Sequence, residues 1–201
     1  ARPRAAPLLR ERGVAGARRR DNASVSLVIR PRTDADLPAL GAVLVEQQAT
    51  SGYPHREPLP MSPEDFVARE GTLATWTALL DDEPVGHIAV LPVLDPAVSR
   101  EPDLSRLWMA GHGLPAERLA EIGVYFTATR VRGQGIGAAL MRTALDQVAA
   151  LGLAPCLDVI PTGSAVELYR RTGWREVGST RPAWLEADAP DVVAMVLPTG
   201  S

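Results

Sequence analysis

From Ser26 onward the apolar positions fall into alternating periods, and their order predicts an α/β chain. Leu27-Val28-Ile29 is a short apolar run that reads as a strand. After Arg30-Pro31, Thr33 and Asp36 stand at capping-box spacing, and Leu37, Leu40, Val43 and Leu44 recur at helical spacing. A helix is expected from about Asp36 to Gln48, with Pro38 in its first turn. Residues 51–63 form a proline-rich loop holding Tyr53, His55 and Met61, and Ser62-Pro63 opens a short helix over 64–70. Two strands, 73–80 and 85–90, flank Asp81-Asp82-Glu83-Pro84, a turn signal that joins them as an antiparallel hairpin.

Between Pro92 and Pro115 the chain carries four prolines and no clear period, so this segment reads as a lid or a loose connection. The strand expected at 119–127 has Ala120, Ile122, Val124 and Phe126 on one face by the period of two. That leaves Glu121, Gly123, Tyr125 and Thr127 on the other. The first face reads as core. A glycine-rich turn then leads into a helix over about 135–151, with the stripe Leu140, Met141, Ala144, Leu145 and Val148, stopped by Gly152 in a left-handed cap position. A strand at 155–160, a short helix at 165–171 and strands near 174–177 and 191–197 complete a sheet of about seven strands. Ser164 and Glu167 have capping-box spacing, so Ser164 reads as a helix cap.

Composition narrows the class. With 201 residues and 46% hydrophobic content, the chain suits one globular domain, placed at residues 25–201. Residues 1–24 hold seven arginines in their first twenty positions, mixed with Pro, Gly and Ala, and read as a basic disordered tail. No run approaches the roughly 20 apolar residues of a membrane span, and the start lacks the apolar region of a secretory signal. A soluble cytoplasmic protein with no membrane partner is expected. The net charge of −3 gives no overall bias towards nucleic acid. The single cysteine, Cys156, excludes an internal disulfide and reads as a small hydrophobe in a buried strand. His55, His87 and His112 lack metal-ligand spacing, so no metal is expected, and His87, inside a strand, reads as structural. Lysine is absent, which leaves arginine as the side-chain cation for phosphate.

The most informative stretch is Arg132-Gly133-Gln134-Gly135-Ile136-Gly137, at a strand-to-helix junction. Free amides at a helix start attract phosphate, and glycines let the anion approach them. Gly133, Gly135 and Ala138 also satisfy a dinucleotide fingerprint, with Asp158 twenty residues further on. Only one short helix and two strands follow, whereas a dinucleotide fold continues with further βα units. A nucleoside triphosphatase turn would end in G-K-[ST], which is missing.

R-x-x-G-x-G followed by an apolar helix resembles the pyrophosphate signature of the GNAT (GCN5-related N-acetyltransferase) superfamily, filled by Arg132, Gly135 and Gly137. Ser164 to Trp174 is similar to a second family marker, a short helix ending in tyrosine and then a glycine-aromatic pair. Thr129 stands where the family commonly has proline, and Trp174 replaces the usual phenylalanine. The resemblance covers most of residues 26–197. It implies a mixed, mostly antiparallel seven-stranded sheet flanked by helices, with a V-shaped splay between the central strands. Acetyl-CoA would lie in the splay, its pantetheine arm on the backbone of Tyr125, Phe126 and Thr127. Its pyrophosphate would sit on Arg132, Gly133, Gln134, Gly135, Ile136, Gly137 and Ala138.

Acetyl transfer needs a neutral amine, and an alkyl amine is mostly protonated at neutral pH, so a group must accept its proton. Glu121 lies beside Gly123 on the non-core face and eleven residues before Arg132, where the family's histone-acetyltransferase branch carries its general base. It is assigned as that base or as a substrate-positioning carboxylate. Tyr169 matches the tyrosine that protonates the departing thiolate in many relatives, with packing near Trp174 as its alternative role. Tyr53, His55, Trp108, Met109 and His112 sit in the two irregular segments that would wall the acceptor cleft. Direct transfer in a ternary complex is expected, because an acyl-enzyme on Cys156 has no histidine nearby in sequence. The acceptor is expected to be a small-molecule amine, since no second domain is visible for docking a macromolecule. A protein N-terminal or lysine acetyltransferase and a non-catalytic acyl-CoA binding module stay as alternatives, and a homodimer would be common among relatives.

Overall fold

A computed structural model describes residues 26–56 and 58–198. The arginine-rich stretch read as a tail lies outside the described residues. β1 (Leu27–Pro31) runs into a 3-10 turn at Asp34–Asp36, where Thr33 and Asp36 form the expected capping box, and then into α1 (Leu37–Ser51). The Asp36 carboxylate accepts from Arg30 at 2.7 Å through each oxygen, from the Thr33 amide at 2.8 Å and from the Thr77 hydroxyl at 3.0 Å. One buried anion thus ties the first strand, the first helix and the second strand together.

Ser62 caps α2 (Pro63–Ala68) by accepting from the Asp65 amide at 3.1 Å. β2 (Ala74–Leu80) and β3 (Glu83–Pro92) form the expected hairpin, turning on Asp81 and Asp82 with φ of 51° and 67°. Both turn residues are left-handed, which matches the twist of the flanking strands.

The segment read as a lid or loose connection contains a helix, α3 (Pro102–His112), which buries Leu104, Ser105 and Trp108. Its prolines mark boundaries rather than disorder, with Pro102 in the first turn and Pro115 ahead of a 3-10 turn at Ala116–Arg118. β4 (Leu119–Thr127), α4 (Ile136–Ala150), β5 (Ala154–Val159), α5 (Ala165–Arg171), β6 (Arg175–Thr180) and β7 (Val192–Val196) follow. Leu140, Ala144 and Val148 are the buried part of the α4 stripe, and Gly152, at φ 70°, ends that helix as expected. Ser164 precedes α5 but makes no capping hydrogen bond through its side chain; its backbone lies at φ −103°, ψ 8° instead of the extended conformation that aims a cap inward.

The seven strands form one sheet in the order β1-β2-β3-β4-β5-β7-β6, antiparallel except for β4 and β5. That parallel pair is short. It joins Leu119 to Ala154, Ala120 to Pro155 and Glu121 to Cys156, and then stops, so β4 from Ile122 to Thr127 has β3 on one side only. This divergence is the V-shaped splay.

The uniform alternation expected along β4 is broken. Between the pairs His87 with Phe126 and Ala89 with Gly123, β4 has two residues, Val124 and Tyr125, opposite Ile88 alone. Val124 stands at φ 47°, a strained value for a β-branched residue. The bulge reverses which side later residues face. Thr127 pairs with Gly86, where a Cβ would lie 3.1 Å from Leu140 of α4, and a Cβ on Gly137 of α4 would lie 2.6 Å from the Tyr125 phenol oxygen. Tyr125 and Thr127 therefore face α4. Glu121 pairs with Cys156, which belongs to the core beneath α3, on the opposite face. His87 holds the bulge: its Nδ1 donates to the Val124 carbonyl at 2.9 Å and its ring stacks on Phe126. Burial pushes the His87 pKa down to about 4, which keeps the ring neutral and leaves Nε2 without a partner among the described residues.

Candidate active site

On the α4 face, a cavity of about 360 Å³ is lined by Tyr125, Thr127, Val131, Arg132, Gly133, Gly135, Ile136, Gly137, Ala138 and Leu168. All but Leu168 come from the loop, strand end and helix start that carry the glycine signature or adjoin it. Gly133 and Gly135 have φ of 77° and 80°, with open space around each, so glycine is required there by backbone conformation. At Gly137 a Cβ would meet the Tyr125 phenol oxygen at 2.6 Å, so a side chain there would displace the Tyr125 ring. The amides of Ile136, Gly137 and Ala138 have no backbone acceptor among the described residues, as the first turn of a helix dictates. Arg132 is exposed beside them and makes no ion pair among the described residues. A ring of free donors, a helix N-terminus and one arginine suit a diphosphate. Gln134 turns its amide nitrogen towards the Arg130 carbonyl, at 3.4 Å, and lies outside the cavity wall. Phe126 is core, buried against His87, so only its backbone can serve the cleft.

On the opposite face, Glu121 and Asp158 stand two residues apart across the β4–β5 junction, since Cys156 is the register partner of Glu121. Both carboxyls are held above the ordinary carboxylate range. Burial is the larger cause for each, and for Glu121 the Asp158 charge adds to it while the Arg69 guanidinium opposes. Two carboxyls this close cannot both ionise freely, so near neutral pH the pair retains a proton. Glu101, at the start of α3, is also raised by burial, with the charge of Asp158 adding and that of Arg56 opposing.

The chain has three tyrosines, and all of them converge here. Tyr169 of α5 packs edge-on against Trp174 at 5.9 Å and feels Tyr125, Tyr53 and Asp158. Tyr53 packs edge-on against Phe66 at 6.3 Å and feels Arg69, Asp158 and Glu121. Burial raises all three phenols, Tyr125 to about 12, so each stays protonated and able to donate. The glycine-lined cavity and the carboxyl pair thus sit on opposite faces of the sheet, beside the place where β4 and β5 part.

The other residues expected at the site divide. His55 lies against the loop after β5, its Nε2 3.4 Å from the Thr162 hydroxyl. Trp108 and His112 do not join the site. Trp108 is buried beneath α3 and donates from Nε1 to the Leu157 carbonyl at 3.0 Å, while His112 Nε2 bonds the Pro155 carbonyl at 3.0 Å. Together they fasten α3 to β5, and Met109 packs in the same core. Cys156 is fully buried, and burial raises its thiol far from the thiolate form. Asp158, Arg69 and Glu101 join the site with no motif to announce them. Only Asp158 leaves a signal in the sequence, because the period of two along β5 puts it on the same face as Cys156.

The model of the Acetyltransferase (GNAT) family matches residues 42–174. No curated protein matches the chain significantly in sequence. Among solved structures, the ribosomal-protein-alanine N-acetyltransferase from Brucella melitensis is similar at 21% identity and a TM-score of 0.61, over 84% of this chain and 98% of that one. A spermidine N-acetyltransferase chimera from Vibrio cholerae SpeG and hSSAT is similar at 18% identity and 0.59, over 85% and 94%. The acetyltransferase of GNAT family from Streptococcus pneumoniae is similar at 21% identity and 0.58, over 85% and 98%. At these identities the likeness speaks for the fold.

Proposed function

Because the chain belongs to the GNAT acetyltransferase family, we propose that it transfers the acetyl group of acetyl-CoA to the primary amine of a small molecule by direct attack in a ternary complex. The observation that carries this reading is the junction of two unlike half-sites at the splay: a diphosphate cradle on one face and a carboxyl pair on the other.

The cradle fits the group. Gly133, Gly135 and the amides of Ile136, Gly137 and Ala138 would hold the pyrophosphate, Arg132 would add charge, and the β4 backbone from Tyr125 to Thr127, unpaired on its β5 side, would hold the pantetheine arm. When bound, acetyl-CoA supplies an activated acyl carbon with a thiolate leaving group. In its ionised form Glu121 accepts a proton from the acceptor's ammonium, and the neutral amine then attacks the acyl carbon; the charge of Asp158 beside it keeps the Glu121 carboxylate basic enough to do so. Tyr169, protonated because it is buried, donates to the departing sulfur. Tyr53 and His55 shape the acceptor side.

The test is release of free CoA thiol from acetyl-CoA on adding each of a panel of small primary amines. Amine-dependent release, lost in Glu121→Gln, supports the reading. Tight acetyl-CoA binding with no release for any amine or peptide would instead support a binding module.

A further inference from the structure

In the proposed reaction Tyr125 serves the cofactor through its backbone, and its side chain has no part. The side chain nevertheless lies in the cradle. It lines the glycine cavity together with Thr127, Arg132, Gly133, Gly135 and Gly137. A Cβ on Gly137 would stand 2.6 Å from the phenol oxygen and 3.6 Å from Cζ, the ring carbon that carries it, so the hydroxyl is the part of Tyr125 nearest to the first turn of α4. In that turn the amides of Ile136, Gly137 and Ala138 have no backbone acceptor among the described residues.

Several local costs accompany a hydroxyl at this spot. Uniform alternation along β4 would put Tyr125 on the face of Glu121. The bulge opposite Ile88 turns it towards α4 instead, with Val124 at φ 47° and His87 Nδ1 donating to the Val124 carbonyl at 2.9 Å. The phenol oxygen also leaves no room for a Cβ at position 137, inside a helix that otherwise favours alanine. A phenylalanine at 125 would fill the same volume and leave an alanine Cβ in ordinary contact with the ring at 3.6 Å. The hydroxyl has no hydrogen-bond partner among the described residues, and burial alone raises its pKa, to about 12, so it stays protonated. A half-buried donor without an acceptor, set beside free amides at a helix start, is matched by an oxygen of an anionic ligand.

We propose that the Tyr125 hydroxyl binds the CoA diphosphate directly, donating to one of its oxygens alongside the α4 amides. The inference rests on the acetyl-transfer reading and adds a side-chain donor that the glycine signature does not contain. It also assigns a task to the bulge at Val124, which carries this donor from the acceptor face to the diphosphate face. Being neutral, the phenol adds a hydrogen bond to the cradle without adding charge.

The experiment is calorimetric titration of CoA into wild type, Tyr125→Phe, Gly137→Ala and the double variant, with phosphorus NMR of each CoA-saturated complex. Tyr125→Phe is expected to weaken CoA binding by about tenfold, the equivalent of about 1.4 kcal/mol, with the melting temperature of the free protein kept. A diphosphate resonance of bound CoA is expected to move in Tyr125→Phe, while the 3′-phosphate resonance stays. Gly137→Ala is expected to cost about tenfold in the wild-type background and less than about twofold in Tyr125→Phe, where no phenol oxygen opposes the new Cβ. Unchanged CoA affinity in Tyr125→Phe, unmoved diphosphate resonances, or an equal penalty for Gly137→Ala in both backgrounds would overturn the assignment of the hydroxyl alone. Failure of the wild type to bind CoA at all would overturn the acetyl-transfer reading beneath it.

Discussion

Replacing Asp158 with Asn removes one negative charge from the carboxyl pair and keeps its shape, so it isolates the effect of that charge on Glu121. Register places Asp158 two residues beyond the partner of Glu121, on the same face. With strands about 4.8 Å apart and a rise of about 3.3 Å per residue, the two carboxyls stand roughly 5 to 8 Å apart. At an effective dielectric of about 20, unit charges at that spacing repel by about 2 to 3 kcal/mol, or about one and a half to two pH units. In the native protein this repulsion adds to burial in raising the Glu121 pKa, so the basic form is lost as pH falls through that raised value. Without the Asp158 charge the pKa drops, and the basic form persists to lower pH. The assay is kcat/KM for the amine at saturating acetyl-CoA from pH 5 to 9, taken as the ratio of variant to wild type so that ionisation of the amine itself cancels. The acid limb of Asp158→Asn is expected about one to two units lower than that of wild type. A limb that stays in place, or moves up, would refute the pairing of these two carboxyls. A ratio of Glu121→Gln to wild type that stays constant with pH across the acid limb would refute Glu121 as the base.

Other expectations follow from single contacts. Glu121→Gln should raise the melting temperature of the free protein at pH 8 by a few degrees while lowering kcat by about 10²-fold or more. A carboxyl whose pKa is raised in the folded state costs stability as pH rises above its unfolded value, so scanning calorimetry at pH 4 and pH 8 should show the gain only at the higher pH. Gly137→Ala puts a Cβ 2.6 Å from the Tyr125 phenol oxygen inside a helix that otherwise favours alanine. It should weaken acetyl-CoA binding by about tenfold or more with little loss of melting temperature, and unchanged affinity would show that the cradle is not where Gly137 lies. Tyr169→Phe should lower kcat by about 10²-fold with acetyl-CoA affinity kept; equal turnover would return Tyr169 to packing against Trp174. Asp36→Ala strands Arg30 and Thr77 and should cost about 3 kcal/mol in urea unfolding at pH 7. Asp36 is held below the ordinary carboxylate range by Arg30, so that difference should shrink as pH falls below about 4.

Local chemistry makes most elements readable from the sequence. Thr33 with Asp36, Ser62 with Pro63, the Asp81-Asp82 turn and Gly152 each impose a backbone conformation within a few residues. The glycine signature behaves the same way, because Gly133 and Gly135 are needed for their φ values whatever surrounds them. What stays hidden depends on distant partners. The bulge at Val124 is held by His87 from another strand, and it turns Tyr125 to the face opposite Glu121, which a strict period of two cannot express. The α3 helix is masked by the prolines that start and follow it, and an aromatic such as Trp108 looks available to a cleft as long as its segment has no assigned structure. The partnership of Asp158 and Glu121 requires the parallel register of β4 and β5.

The most direct test of the proposed acetyl transfer is calorimetric titration of the protein with acetyl-CoA, with CoA and NAD as comparisons. Acetyl-CoA and CoA are expected to bind at one site per chain, with affinity weakened in Gly137→Ala, and NAD is expected to give no heat of binding. Absence of binding by any CoA species, or binding of NAD in their place, would contradict the assignment of the α4 cradle and with it the proposed reaction.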